Sequence, residues 1–296
     1  MWIVTGFEQQ KKFFEGLVRQ GGLAHAYIFS GQEMIGKKMF AHDLFTMANR
    51  HPRFALHDPD LCELAPRVAE DETWIYIEDV RDLKKFLSLK AFQGPYRFVI
   101  IDDAHRMQDA AANAMLKILE EPSPMTVFIL VTNQPDQLVQ TISSRCQHIH
   151  FLPHSKETID KYLAQSWQKP ARPNGRSGGD LPKADRELIA GMAGGRLGWA
   201  LQMAKPENLK ALKRAVADIS ALLKQPLAQR MQYAKTLYEK ELYGQYVPLW
   251  LHWAYSQRST LPNASRVLAG LLNLHHYVSQ PQFNHRLLLE NTLINL

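Results

Sequence analysis

Short apolar runs alternate along the first half of the chain with longer segments in which apolar residues recur every three or four positions. Four runs rich in β-branched and aromatic residues predict strands, at residues 26–29, 74–77, 97–101 and 127–131, and a fifth, weaker run lies at 148–152. Consecutive positions in these runs are apolar, as expected for parallel strands buried on both faces, and helical segments separate them. The pattern predicts a doubly wound α/β domain.

The clearest helical segment covers residues 109–121, where apolar residues repeat at the spacing of one buried stripe and Pro122 predicts the end of the helix. Glu120 and Glu121 lie at that end, where the helix dipole disfavours acidic side chains. This unfavourable interaction with the dipole indicates that the acidic side chains contact another part of the molecule, although a solvated helix end also fits the sequence.

After residue 153 the strand signal disappears, and the remaining sequence predicts helices. A second break near residue 205 precedes a block with about five helices. We therefore predict three domains, at residues 1–152, 153–204 and 205–296. The content of Pro, Gly and Arg at 168–185 predicts a mobile loop.

The composition bears on the binding partners, the cellular location and the metal content that we predict for this protein. Among 296 residues, 35 are Lys or Arg and 29 are Asp or Glu, and this net charge of +6 favours an anionic partner such as nucleic acid, although the basic residues are scattered. The sequence has no apolar run of about 18 residues and no signal-peptide pattern, so we predict a cytoplasmic protein without a membrane segment. Two cysteines, Cys62 and Cys146, are too few for a four-thiolate zinc site, and we predict no metal.

A candidate phosphate loop follows the first predicted strand. Gly31, Gly36 and Lys37 fit the motif G-x-x-x-x-G-K, in which the next residue is Ser or Thr and its hydroxyl binds Mg²⁺. This chain has Lys38 there, and an ammonium group repels a divalent cation and can itself neutralise phosphate. Taken alone, the motif also fits a simple turn between a strand and a helix.

Two acidic residues, Asp102 and Asp103, end the predicted strand at 97–101. P-loop ATPases hold Mg²⁺ through an acidic residue at the end of such a strand. An ATPase of this type normally has Glu at the second position, where it activates water. The shorter Asp103 displaces the carboxylate, and a misplacement of about 1 Å can cost about 100-fold in rate.

Three stretches together resemble the clamp-loader family of bacterial DNA polymerase III, and most closely its delta-prime subunits: HAYIFSGQEMIGKK (25–38), VIIDDAHRMQDAAANAMLKILEEP (99–122) and FILVTNQPDQLVQTISSRCQ (128–147). The resemblance is specific over about 23–152, thin over 153–204, and limited to helical character beyond 205. It implies an AAA+ module with a P-loop domain and a small helical lid, followed by a helical collar for oligomerisation. It also implies a five-subunit ring with gamma/tau and delta, which loads a sliding clamp on primed DNA.

The resemblance assigns roles to several further residues. Arg145, in the sequence Ser-Arg-Cys, would enter the ATP site of a neighbouring subunit, where an arginine finger is worth about 10³–10⁵ in rate. Taken alone, Arg145 also fits a surface arginine or one paired with a local acid. Thr132 and Asn133 match the sensor 1 position, although they also fit a strand cap. Gly198 occupies the position where active members carry the sensor 2 arginine, and Arg196 precedes it by two places.

These departures predict a subunit that does not hydrolyse ATP, and the resemblance implies that it donates Arg145 to a neighbour. We predict that this subunit requires no cofactor for its role. The sequence is compatible with ATP binding without hydrolysis and with no ATP binding. The alternatives are an ATP-hydrolysing gamma/tau-like or DNA-repair AAA+ ATPase, and a small-molecule P-loop kinase, against which the long helical tail argues. Many relatives carry four zinc-binding cysteines between the phosphate-loop helix and the next strand, where this chain has Cys62 as its single cysteine. His51 and His57 cannot complete a tetrahedral site by themselves, and Asp60 is interpreted as a turn residue, so we predict no zinc. The degenerate nucleotide site would comprise Gly31, Gly36, Lys37, Lys38, Asp102, Asp103, Thr132 and Asn133.

Overall fold

The computed structural model describes residues 2–50, 58–69, 72–88, 92–167 and 181–296. The chain divides into two compact units, Met1–His154 and Ser155–Leu296. The first unit contains a five-stranded parallel sheet with the order β2-β5-β6-β1-β7. Its strands are β1 (Ala26–Ser30), β2 (Leu61–Leu64), β5 (Arg97–Ile101), β6 (Thr126–Thr132) and β7 (Gln147–His150), and β3 (Arg67–Ala69) pairs separately with β4 (Glu72–Trp74) in antiparallel fashion.

Helices cover both faces of this sheet. Tyr27 and Phe29 of β1 belong to a buried cluster with α1 and α2, whereas Ala26 and Ile28 belong to a second buried cluster with α3 and α4. Alternate residues of one strand thus enter opposite layers, which is why the strands are apolar at consecutive positions. The helices of this unit are α1 (Glu8–Gln20), α2 (Lys37–Ala48), α3 (Ile77–Ser88), α4 (Asp109–Glu120) and α5 (Gln140–Ser143).

One predicted strand is wrong. Within residues 74–77, Trp74 ends β4 outside the parallel sheet, and α3 already begins at Ile77. Ile75 between them is fully buried in the core and makes an isolated bridge to Met107, so this run is apolar because it packs and not because it joins the sheet. The strand next to β5 at this edge of the sheet is instead β2, whose Leu61 is paired with Phe98 of β5.

The second unit is helical. It contains α6 (Lys156–Trp167), α7 (Lys183–Met192), α8 (Leu197–Met203), α9 (Pro206–Leu222), α10 (Leu227–Glu239), α11 (Tyr243–Ser256), α12 (Ala264–Val278) and α13 (His285–Ile294). The last five match the predicted number of helices after residue 205. Of the predicted loop at 168–185, residues 168–180 lie outside the described residues, and the prediction is wrong for the last three because α7 begins at Lys183.

The predicted fold class is confirmed at this level: a parallel α/β domain is followed by a helical region. The division into three domains, with limits at 152 and 204, stays a prediction. Within the described residues, no helix has the length and apolar character needed to span a membrane.

Candidate functional site

The loop between β1 and α2 has a backbone that only glycine fits at its first motif position. Gly31 has φ 143°, and a Cβ atom placed there would lie 2.3 Å from the carbonyl oxygen of Phe151. Gly36, directly before α2, has φ 112°. The strand, the loop and the N-terminus of the helix therefore keep the arrangement that can direct backbone N–H groups at phosphate.

Lys37 is turned toward its own loop. Its Nζ donates hydrogen bonds to the carbonyl oxygens of Gly31, at 2.6 Å, and Gln32, at 2.7 Å, and the residue is buried. Burial lowers the pKa of Lys37 to about 8, although the charges of Asp102 and Asp103 act in the opposite direction. A phosphate group would have to compete with these two carbonyl groups for the ammonium.

Lys38 bridges two carboxylates from neighbouring strands. Its Nζ lies 3.1 Å from Oε2 of Glu63, at the end of β2, and 3.4 Å from Oδ2 of Asp102, which follows β5. Burial lowers the pKa of Lys38, but the hydrogen bond to Glu63 and the charges of Asp102 and Glu63 outweigh it, so the pKa is raised overall. His42 Nε2 is 3.5 Å from Glu63 Oε1. The group thus consists of a cation, two acids and a buried histidine.

Glu63 is the member of this group that the sequence did not predict, because the strand that carries it was not recognised. The only signal is an acidic residue near the end of a short run, residues 61–64, that is mostly apolar. In the sheet Glu63 is paired with Ile100, which places it near the same edge as Asp102.

The remaining predicted members lie at the same edge, after β5 and β6. Asp103 has φ 44°, and its N–H donates to Asp102 Oδ1 at 3.2 Å. Thr132 Oγ1 accepts a hydrogen bond from the Gln134 N–H at 3.0 Å and lies 3.1 Å from His105 Nδ1. Thr132 therefore caps the end of β6 and the turn that follows, which was the alternative to a sensor 1 role. A contact between Thr132 and phosphate stays a prediction.

Two further polar atoms complete this edge. The Oδ1 atom of Asn133 is buried and has no hydrogen-bond partner among the described residues. The pKa of His105 is lowered mainly by burial, and the charge of Lys37 acts in the same direction. The ends of β1, β5 and β6 thus bring all the predicted nucleotide-site residues together along one edge of the sheet, as expected for a parallel sheet.

Arg145 lies in the segment that connects α5 to β7. Its Nη1 donates to the carbonyl oxygen of Thr141 at 2.9 Å, and its Nη2 donates to Oε1 of Glu120 at 2.7 Å. The side chain is 36% exposed. The neighbouring Cys146 packs against the core, and burial raises the pKa of its thiol to about 12, which makes it unreactive. The pairing with a local acid, left open by the sequence, is present, and it provides the contact expected for Glu120.

Arg196, which precedes the sensor 2 position by two places, contacts residues of the second unit. Arg196 Nε donates to the carbonyl oxygen of Ala193 at 3.0 Å, and Nη2 lies 2.7 Å from Nε2 of His252 in α11. The guanidinium also lies over the ring of Trp199, 5.5 Å from its centroid. Gly198, in the first turn of α8, has no side chain for such contacts.

Of the candidate zinc residues, Asp60 is fully buried and accepts hydrogen bonds from three backbone N–H groups, those of residues 92–94. Its carboxylate is thus used within the fold. Cys62 lies in β2, and His51 and His57 fall outside the described residues. The described ranges contain no cluster of three or more His, Cys, Asp and Glu side chains that could hold a metal ion. The absence of zinc stays a prediction.

A family model described as DNA polymerase III, delta subunit, matches residues 6–155, which is half of the chain. The chain belongs to this family. DNA polymerase III subunit delta′ of Pseudomonas aeruginosa is 32% identical over 222 residues, 69% of this chain and 63% of the relative. DNA polymerase III subunit gamma/tau of Mycobacterium tuberculosis is 32% identical over 157 residues, 49% of this chain and 27% of the relative. The chain thus spans less than two thirds of the length of either relative.

The crystal structure of a gamma subunit-related protein of DNA polymerase III from Thermotoga maritima matches 95% of this chain and 97% of its own, with a TM-score of 0.58 and 21% identity. At this identity the likeness shows the fold alone. The predicted membership of the clamp-loader subunit family is confirmed, and the solved structure has the same fold, a parallel α/β domain followed by helices. The roles of the individual site residues stay predictions.

Proposed function

We propose that this chain is a delta-prime-type subunit of a bacterial replicative clamp loader, one that does not hydrolyse ATP and that supplies Arg145 to the ATP site of a neighbouring subunit. Family membership supports the assembly, and the delta′ relative, which covers more of the chain than the gamma/tau relative, favours this subunit. The observation that carries the non-hydrolysing role is the position of the Lys38 ammonium between Glu63 and Asp102.

The charge on Lys38 opposes the metal ion that hydrolysis needs. In an active phosphate loop a hydroxyl group and an acidic residue hold Mg²⁺ against the phosphates. Two unit charges 4 Å apart interact by about 4 kcal/mol at an effective dielectric constant of about 20, so a divalent ion next to the ammonium faces roughly twice that repulsion. Asp102 is also already paired with the ammonium. The loop is therefore poorly suited to bind Mg²⁺ and to catalyse ATP hydrolysis.

Arg145 is suited to contact the ATP of a neighbouring subunit because its side chain is partly exposed. It is 36% exposed, and its acid partner Glu120 is 49% exposed, so the ion pair is weak and can be exchanged. A guanidinium group stabilises charge on a transferring phosphoryl group when a neighbouring subunit supplies it. In this proposal gamma/tau holds the ATP, delta completes the ring, and the ring as a whole engages the sliding clamp and primed DNA.

The alternative is an ATP-hydrolysing gamma/tau-like subunit. The retained backbone of the loop at Gly31 and Gly36 and the similarity to gamma/tau favour it. Turnover by the isolated chain separates the two functions. We expect no more ATP hydrolysis than a Lys37→Ala variant shows, because the metal position is blocked. Steady hydrolysis that the Lys37→Ala substitution abolishes would favour the alternative.

The Arg145→Ala variant tests the donated arginine. In a complex reconstituted with gamma/tau and delta, the variant should assemble normally but lose the DNA-stimulated ATPase of the one site that Arg145 serves, where a finger is worth about 10³–10⁵ in rate. Arg81→Ala, which removes a 65% exposed arginine of α3, is the control. An undiminished ATPase in a fully assembled Arg145→Ala complex would exclude this role.

A further inference from the structure

Glu120 lies at a helix end where a carboxylate is electrostatically unfavourable, and its contact with Arg145 offsets that cost. It is the last residue of α4, where the helix dipole is negative and disfavours a carboxylate. Its Oε1 accepts the hydrogen bond from Arg145 Nη2 at 2.7 Å. The next residue, Glu121, is exposed and has no ion pair or hydrogen bond among the described residues. Two adjacent acids thus share the same helix end, and only the first contacts the guanidinium.

The guanidinium of Arg145 is held on two sides. Nη1 donates to the carbonyl oxygen of Thr141 in α5, and Nη2 donates to Glu120. The side chain of Cys146 packs into the core and fixes the backbone next to Arg145. A guanidinium group grips a phosphate through two parallel N–H donors. A phosphate that approaches Nη2 meets the Glu120 carboxylate already bound to the same nitrogen, and the two anions repel each other, so the two contacts compete.

We propose that Glu120 is a positioning residue that holds Arg145 back, and that Arg145 engages the terminal phosphate of a neighbour's nucleoside triphosphate by exchanging the Glu120 carboxylate for a phosphate oxygen. This inference rests on the proposed function of Arg145. The exchange is reversible because the ion pair is exposed, and pairs of this kind shift an equilibrium by about two- to fivefold. The terminal phosphate carries more charge than one carboxylate and therefore wins when it is present.

The test compares Glu120→Ala with Glu121→Ala in the complete complex with gamma/tau and delta. Both variants remove one acid from the same end of α4, so the effects on the helix dipole and on net charge are matched. We expect Glu120→Ala to raise the ATPase without DNA, or to lower the ATP concentration for half-maximal rate, by about two- to fivefold. Glu121→Ala should behave as the wild type. The difference should shrink at high salt, because salt screens exposed charges.

The double variant Glu120→Ala, Arg145→Ala shows whether the effect passes through the arginine, because a merely structural role of Glu120 would still raise the rate in that background. The inference is overturned if Glu120→Ala neither raises the ATPase without DNA nor lowers the ATP concentration for half-maximal rate. If Arg145→Ala lowers the ATPase while Glu120→Ala leaves it unchanged, only the role of Glu120 fails. If Arg145→Ala has no effect, the proposed function itself fails.

Discussion

The side chain at position 38 determines which cation neutralises the acidic residues beside the phosphate loop. The exposed fractions of Lys38, Glu63 and Asp102 are 38%, 36% and 31%, so each ion pair contributes only about 0–1 kcal/mol to stability. The backbone contact that requires glycine at position 31, the close approach to the Phe151 carbonyl oxygen, involves none of these side chains. The chemistry of this loop can therefore change through one residue while its shape is retained.

A Lys38→Thr variant should gain a binding site for a divalent cation. The substitution restores the hydroxyl of the phosphate-loop motif and leaves the Glu63 and Asp102 carboxylates without their ammonium. At a Mg²⁺ concentration ten times its dissociation constant, the stability should rise by about 1.4 kcal/mol. Thermal unfolding with and without MgCl₂ at constant ionic strength measures this gain. Wild type and Lys38→Arg, which keep a cation, should show no such gain, and equal stabilisation of all three would contradict the argument.

At this scale, the sequence predicts the place of a residue where a motif fixes it, but it does not predict a contact whose partner comes from another element. Gly31, Lys37 and Asp102 follow from local spacing, and the structure brings them together at one edge of the sheet. The contacts of Lys38 with Glu63 and of Arg145 with Glu120 each join two separate elements. Spacing along the chain carries no information on such pairs until the order of the strands and the ends of the helices are known.

At the scale of elements, the apolar pattern identified the buried strands and the edge strand β7, and it missed the other edge strand, β2. The central strands are apolar on both faces, and the predicted runs overlap them. β2 pairs with β5 alone and is only partly buried, so it lacks a continuous apolar run. The run at 74–77 is apolar because Ile75 is buried in the core beneath the sheet. Burial without strand pairing gives the same pattern as a short strand, and the sequence alone does not separate the two.

Two Gly→Ala substitutions separate the demands of the loop from those of a helix. Gly31→Ala places a Cβ atom 2.3 Å from the Phe151 carbonyl oxygen at φ 143°, so we expect the free energy of unfolding to fall by at least about 2 kcal/mol. Gly16 lies within α1, and its added Cβ would meet no atom within 4 Å, so Gly16→Ala should stabilise by about 0.5–1 kcal/mol. Urea denaturation measures both. Similar changes in the two variants would refute the assigned loop geometry.

At the scale of the whole molecule, buried and half-buried histidines tie stability to pH. The chain has twelve histidines and a net charge of +6 with the histidines neutral. Burial is the main cause that lowers the pKa in four of them, three in the first unit and one in the second: His42, His105, His154 and His252. In each case folding favours the neutral ring. The unfolded chain therefore takes up protons first as the pH falls, which destabilises both units in mild acid.

The pKa of His252 allows the loss of stability in mild acid to be estimated for one residue. Burial, together with the charge of Arg196, lowers its pKa to about 4, against about 6.5 in the unfolded chain. Its contribution is present above pH 6.5 and is lost as the pH falls toward 4, so between pH 7 and pH 5 the wild type should lose about 2 kcal/mol from this residue. Urea denaturation at the two pH values should show a smaller loss for His252→Gln, whereas His25→Gln, which replaces an exposed histidine, should lose as much as the wild type. If His252→Gln and the wild type lose equal stability, the neutral state of His252 does not contribute to the acid sensitivity of the fold.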